Sequence, residues 1–207
     1  MSRGGTVLVY IKYPEPGRVK TRLAATIGNT EAARFYRCWI GEVLTAVQSL
    51  RPEIQVLGAI DGAEPKAFQQ WQPLVDGWWQ QPEGDLGVRL DAGFRHAHTT
   101  GQPVVAIGTD CLELNAAIVL DAFAALDRVD AVFGPTVDGG YYLVGTARYL
   151  PGFFSGIRWS TPDTLEDHLS RCQDHHWQYR LLPMQQDVDT WDDWLAYCHK
   201  IGRSPTA

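Results

Sequence analysis

Short runs of β-branched and apolar residues alternate with longer amphipathic stretches along nearly the whole chain. This alternation restricts the fold more than any single residue does. Residues 6–11, 54–60, 103–107, 130–133 and 141–144 read as strands bounded by Gly, Pro and Asp. Between most of them the spacing predicts helices. From about residue 30 to 50, Tyr36, Trp39, Ile40, Val43, Leu44 and Val47 recur three and four residues apart and form one apolar stripe, with Thr30 as N-cap. Residues 86–98 are expected to form another helix. Residues 115–126 place Ile118, Val119, Ala122, Phe123 and Leu126 on one face, and Thr190-Trp191-Asp192-Asp193 reads as a cap with acidic first-turn residues.

Elements alternating in this way imply an α/β fold with three layers, αβα. Its sheet is expected to be mostly parallel with right-handed crossovers, and its ligand site to lie beyond the carboxyl ends of the strands. A length of 207 residues with 45% hydrophobic content suits one domain over residues 1–207, and no repeat or linker-like stretch suggests a second. The tail, residues 202–207, is expected to fray.

The net charge of −6 argues against a partner with a phosphate backbone, so no nucleic acid is expected. Cys38, Cys111, Cys172 and Cys198 are scattered without a CxxC pair, which fits a reducing, cytoplasmic setting. Cys172, His175 and His176 read as a polar helix end rather than a metal site. The apolar run after Ser2-Arg3-Gly4-Gly5 is too brief for a signal-peptide core, and no segment is long enough for a transmembrane span.

Against this acidic background, Lys12, Arg18, Lys20 and Arg22 gather four cations in the turn-rich loop after the first strand. Pro14 and Pro16 stiffen that loop, Gly17 allows a tight bend, and amides at the next helix start could join the cations around a phosphate. A solvated turn with surface ion pairs is the blander reading. Gly17-Arg18-Val19-Lys20-Thr21 ends like a Walker loop, but Tyr13 stands where the upstream glycine is required.

Acidic residues at strand ends supply the complementary chemistry. Asp110, in Gly108-Thr109-Asp110-Cys111, follows the strand 103–107 and is the leading metal ligand, since magnesium needs only one or two protein carboxylates. Asp189, in Asp187-Val188-Asp189-Thr190, is the second candidate, although helix-entry geometry would also place an acid there. Asp138-Gly139-Gly140 precedes the strand 141–144, where it suits either a sugar or ribose hydroxyl approached by glycine amides or a plain β-turn. Asp85 and Leu86 could contribute to a nucleotide base or sugar. Trp159, followed by Ser160-Thr161-Pro162, could stack on an acceptor or simply precede a helix start.

The segments YIKYPEPGRVKTRL from Tyr10, GDLGVRL from Gly84, AIGTDCLEL from Ala106, FGPTVDGGYYLVG from Phe133, IRWST from Ile157 and DVDTWDDW from Asp187 together resemble a bacterial family of GT-A-fold glycosyltransferases, the first type of the radical-SAM/selenodomain-associated transferases, related to cofactor nucleotidyltransferases. The resemblance spans nearly the whole chain and implies a nucleotide-diphospho-sugar-binding sheet. It implies phosphates along Lys12, Arg18, Lys20 and Arg22, with Asp85, Leu86 and Thr109 also toward the nucleotide. Asp110 and Asp189 would hold Mg2+ or Mn2+, and Asp138, Gly139, Gly140 and Trp159 would lie toward the acceptor or transferred sugar. Asp110, Asp138 and Lys20 are the catalytic candidates. Relatives carry proline after the Thr-Asp-Cys segment where this chain has Leu112, and Asp110-Cys111-Leu112 lacks the second acid of an Asp-x-Asp motif.

The expected activity is metal-dependent transfer from a nucleotide-sugar donor to an acceptor that the sequence does not identify. Nucleotidyl transfer with pyrophosphate release, or nucleotide binding without turnover, are the alternatives. Oligomeric state leaves no mark in the sequence.

Overall fold

The apolar runs become the middle of a seven-stranded sheet in the computed structural model, which describes residues 4–205. The strands are β1 (Thr6–Lys12), β2 (Gln55–Asp61), β3 (Gly77–Gln80), β4 (Val104–Ile107), β5 (Ala131–Pro135), β6 (Tyr141–Thr146) and β7 (Tyr179–Leu181). They lie in the order β3-β2-β1-β4-β6-β5-β7. Every neighbouring pair is parallel except those of β6, which runs antiparallel to both β4 and β5.

The helices are α1 (Thr21–Ile27), α2 (Asn29–Gln48), α3 (Leu86–Ala97), α4 (Ala116–Leu126), α5 (Thr164–Asp174) and α6 (Trp191–Ile201). Alternation along β1 divides them between two faces. Val7, Val9 and Ile11 join Trp39, Ile40 and Leu44 of α2, Val119 and Ala122 of α4 and Trp194 of α6 in one core. Leu8 and Tyr10 face the other, with Leu90 and Phe94 of α3 and Cys172 of α5. The result is an αβα sandwich whose β1 is buried on both sides, as the unbroken run Val-Leu-Val-Tyr-Ile requires.

Several sequence expectations are corrected in detail. Helix α2 begins at Asn29 behind Gly28, not at Thr30, because an unanticipated helix α1 ends there. Gly28, at φ +84°, donates to the Ala24 carbonyl and accepts from the Ala32 amide, closing one helix and opening the next. Helix α5 starts at Thr164 rather than beside Pro162. Residues 202–205, expected to fray, are instead tied to the body of the fold, since the Trp194 indole N–H donates to the Pro205 carbonyl at 2.9 Å and Arg203 pairs with Glu42 at 2.7 Å. The last two residues of the tail, like Ser2 and Arg3 at the other end, lie outside the described residues. Among the described residues no helix is long and apolar enough to cross a membrane.

Candidate active site at the carboxyl ends of β1 and β4

The loop leaving β1 folds back so that Lys20 points inward. Its backbone is left-handed (φ 46°, ψ 48°), a conformation that costs a non-glycine residue about 1 kcal/mol and is kept only where surrounding contacts hold it. Those contacts are strong. The Lys20 Nζ lies 2.8 Å from Asp110 Oδ1, just beyond β4, and 2.8 Å from Asp189 Oδ1, just before α6, and donates to the Val188 carbonyl at 2.8 Å. The lysine side chain is only 6% exposed. Burial alone would lower its pKa, but the carboxylates of Asp110 and Asp189 outweigh burial and raise it, so the ammonium stays charged.

Asp189 is held in place by the start of α6. Thr190 Oγ1 accepts from the Asp193 amide at 3.2 Å, while an Asp193 oxygen accepts from the amides of Thr190 and Asp189 at 2.8 and 3.2 Å. Asp110 is tied through its own carbonyl, which accepts from the Val188 amide at 2.9 Å. Two chain segments nearly eighty residues apart are thus locked in register, and their acidic side chains converge.

Two hollows open on this cluster. One, of about 300 Å³, is lined by Lys12, Arg18, Lys20, Arg22, Tyr36, Asp110 and Asp189 among others. All four cations of the basic loop therefore reach the same space as both metal-ligand candidates. Arg22 approaches Asp189 at 3.6 Å from a largely exposed position, and Arg18 leans on Glu15 at 3.3 Å. The second hollow, a cleft of about 540 Å³, shares Lys12, Tyr36 and Asp110 with the first and continues past Thr109 toward Asp61, Gln81, Leu86 and Arg89.

Tyr36 forms the wall between them. Its hydroxyl hydrogen-bonds with Thr109 Oγ1 at 2.9 Å and accepts from the Lys12 amide at 3.3 Å, and burial pushes its pKa up to about 12. Asp187, on the cleft lining, is pushed up to about 7, first by burial and then by the nearby charges of Asp110 and Asp138. Cys111 is buried, and burial raises its thiol to about 12, so it is a packed side chain rather than a nucleophile.

The donor set suits a hard divalent cation. Asp110 Oδ1 and Asp189 Oδ1 both approach one point, the point taken by the Lys20 ammonium, and both are oxygen donors. Two carboxylates are enough for Mg2+ or Mn2+, which draw remaining ligands from water and phosphate. Among the described residues no group of three or more His, Cys, Asp or Glu closes on a common centre, so such an ion would depend on its substrate to complete the shell.

Other expected residues stand apart. Asp85 caps α3, accepting from the Val88 amide at 2.9 Å, while its neighbour Leu86 lines the cleft. Trp159 packs with Phe154 and His168 and faces a different hollow, which it shares with Asp85, Gly87 and Arg95. It does not line the cleft. Asp138, Gly139 and Gly140 form the tip of the β5–β6 hairpin, so the plain turn is present. The Gly139 amide donates to the Thr136 carbonyl and the Gly140 amide to Asp138 Oδ1, which leaves neither amide free for a ligand.

Tyr36, Asp61, Gln81, Arg89 and Asp187 were not singled out from the sequence. Asp61 was within reach of the rule that selected Asp110, being the acid directly after the expected strand 54–60. Tyr36 was absorbed into an apolar stripe, and nothing in the sequence says that Gln81 and Arg89 meet β2.

The model of the DUF2064 family, described as an uncharacterized protein conserved in bacteria, matches residues 43–161, more than half of the chain. The chain belongs to this family. Among solved structures, a candidate nucleotide-diphospho-sugar transferase from Desulfovibrio desulfuricans G20 is 31% identical, with a TM-score of 0.88 over 97% of this chain and 88% of that one. The 4-diphosphocytidyl-2C-methyl-D-erythritol synthase of Anaerococcus prevotii DSM 20548 is 10% identical with a TM-score of 0.63, over 98% of this chain and 100% of that one. Rv0371C of Mycobacterium tuberculosis H37Rv, in complex with manganese, is 16% identical with a TM-score of 0.56, over 94% and 97%. The last two share the fold alone. Among curated proteins none matches the chain. The αβα sheet of this DUF2064 member is that of the nucleotide-diphospho-sugar transferases.

Proposed function

We propose that the chain is a transferase that takes a glycosyl group from a nucleotide-sugar donor with the help of Mg2+ or Mn2+. The observation that carries this reading is the convergence of Lys12, Arg18, Lys20 and Arg22 with Asp110 and Asp189 on one hollow that adjoins a larger, partly apolar cleft. Cations and acids meet in this way where a polyanion is bound together with a dication. The likeness to the Desulfovibrio protein and the segments quoted above, which resemble the selenodomain-associated transferases, support it.

In this reading Lys12, Arg18 and Arg22 line the path of the diphosphate, and Lys20 places a fixed charge on the oxygen that becomes more negative as the sugar leaves. Asp110 and Asp189 would hold the metal, whose chemistry is to neutralise the departing diphosphate. Thr109 and Leu86 line the nucleoside end. Asp138, whose charge reaches Asp187, is the group we assign to the acceptor hydroxyl.

Nucleotidyl transfer is the second reading, favoured by one observation. Cys111 is buried and Leu112 follows it, so β4 offers no second acid of the Asp-x-Asp type used toward sugar diphosphates. One assay separates the two. The protein is incubated with Mg2+ or Mn2+, candidate acceptors, and either nucleotide-sugars or nucleoside triphosphates. Release of nucleoside diphosphate supports glycosyl transfer, and pyrophosphate supports the alternative. Calorimetry that finds no binding of either donor with metal present would sink both.

A further inference from the structure

The far end of the cleft holds three side chains whose hydrogen bonds are only half used. Arg89, on α3, donates through Nη1 to Asp61 Oδ2 at 2.7 Å and through Nε to the Gly84 carbonyl at 2.9 Å. Gln81 donates through Nε2 to the Ala59 carbonyl at 2.7 Å. That carbonyl can only accept, so it fixes the amide orientation and turns Gln81 Oε1 away from the strand. Among the described residues, Asp61 Oδ1 and Gln81 Oε1 receive no hydrogen bond, and Arg89 Nη2 makes none. All three residues line the same cleft as Thr109 and Asp110.

These atoms offer the cleft two acceptor oxygens and one cationic donor, and the ion pair ties Arg89 to Asp61. The Watson–Crick edges of the bases differ in what they return. Adenine offers one donor group and one acceptor, while uracil and cytosine offer one donor group and two acceptors. Guanine alone offers two donor groups, N1–H and the N2 amine, beside one carbonyl. A carboxylate cannot turn donor to suit a base edge rich in acceptors, so the mismatch with the other bases is a repulsion as well as a lost bond.

We propose that Asp61, Gln81 and Arg89 select guanine as the base of the bound nucleotide. This rests on the nucleotide-donor reading above. In it, Asp61 and Gln81 take the N1 and N2 hydrogens and Arg89 donates to O6, with the phosphates toward Lys12 and Asp110.

The test is calorimetry of the full chain with Mg2+ and GDP, IDP, ADP, CDP or UDP, repeated on Asp61→Asn. GDP is expected to bind about 10- to 100-fold more tightly than ADP, CDP or UDP. IDP, which lacks the N2 amine, should fall about tenfold below GDP, and Asp61→Asn should bring GDP down toward the other bases. Another base bound as tightly as GDP, or an Asp61→Asn protein that keeps its GDP affinity, overturns the assignment while leaving the transferase reading in place. Absence of binding by every diphosphate overturns both. If Asp61→Asn does not fold, the panel on the unaltered chain decides alone.

Discussion

Lys20 is paired with two carboxylates that are themselves 44% and 37% exposed. The ammonium is thus deeply held while its partners still reach solvent, and a dication approaching Asp110 and Asp189 must compete with it. Replacing Lys20 by Met keeps the length and removes the charge. Lys20→Met should therefore bind Mn2+ alone about tenfold more tightly, read by electron paramagnetic resonance of free Mn2+, and bind nucleoside diphosphate at least tenfold more weakly. Unchanged Mn2+ affinity would show that the lysine and the metal do not share a position. At this scale the sequence showed the acids and bases but not their pairing. A cluster of four cations, an acid after the strand 103–107 and another before the last helix were visible, whereas the contact between positions 20 and 189 depends on an inward turn of a left-handed residue that local propensity does not favour. Trp159 lies apart from this cluster, packed against Gly87 on a different hollow, a placement that no local pattern around it announces.

The start of α6 is both a helix cap and the support of Asp189, on the lining of the smaller hollow. Thr190→Ala removes the side-chain half of the capping box and should cost about 1 kcal/mol in denaturant unfolding. It should also weaken metal-dependent binding, because Asp189 is held by the same Asp193 oxygen. A stability loss with unaltered metal affinity would separate the two roles. At the hairpin tip Gly139 has φ +88°, and a side chain there would run into the Pro162 carbonyl. Gly139→Ala should therefore destabilise by about 2 kcal/mol or more by thermal unfolding, with or without ligand. The elements that sequence reasoning found are those whose periodicity runs over several turns or several buried strand residues, such as α2 and β1. It missed β3 and β7, four and three residues long, because Gly77-Trp78-Trp79-Gln80 and Tyr179-Arg180-Leu181 are too short to display a period and are strands only because a neighbour pairs with them.

Across the molecule, the core beneath α3 and α5 is the one that encloses an imidazole. The His168 ring is buried among Phe133, Tyr141, Phe153, Phe154 and Trp159, and neither ring nitrogen has a hydrogen-bond partner among the described residues. Burial pushes its pKa from 6.5 down to about 4. Between those values the unfolded chain takes up a proton that the folded chain refuses. This contribution is therefore fully present above pH 6.5 and is lost as pH falls toward 4, by up to about 3 kcal/mol. Urea unfolding from pH 7 to pH 4.5 should show the decline, and His168→Phe should flatten it; an equal slope in both proteins would exclude His168 as its source. The layered architecture itself was legible from alternation alone, because parallel strands buried on both faces leave few alternatives. The reversed strand β6 was not, since direction is decided by the length of the connection and β5 and β6 are joined by a tight hairpin. That reversal brings the beginning of β6, rather than its end, to the cleft, and places Tyr141 and Tyr142 on the lining.

Lys12, Tyr36 and Asp110 each belong to both hollows. A common partition means that the chambers cannot be reshaped independently, since widening the doorway for a bulkier cargo also loosens the grip on whatever anchors it. If the chambers hold the proposed donor, variation that changes which cargo is carried, without weakening the anchor, is confined to the far corners, where neither room touches the other.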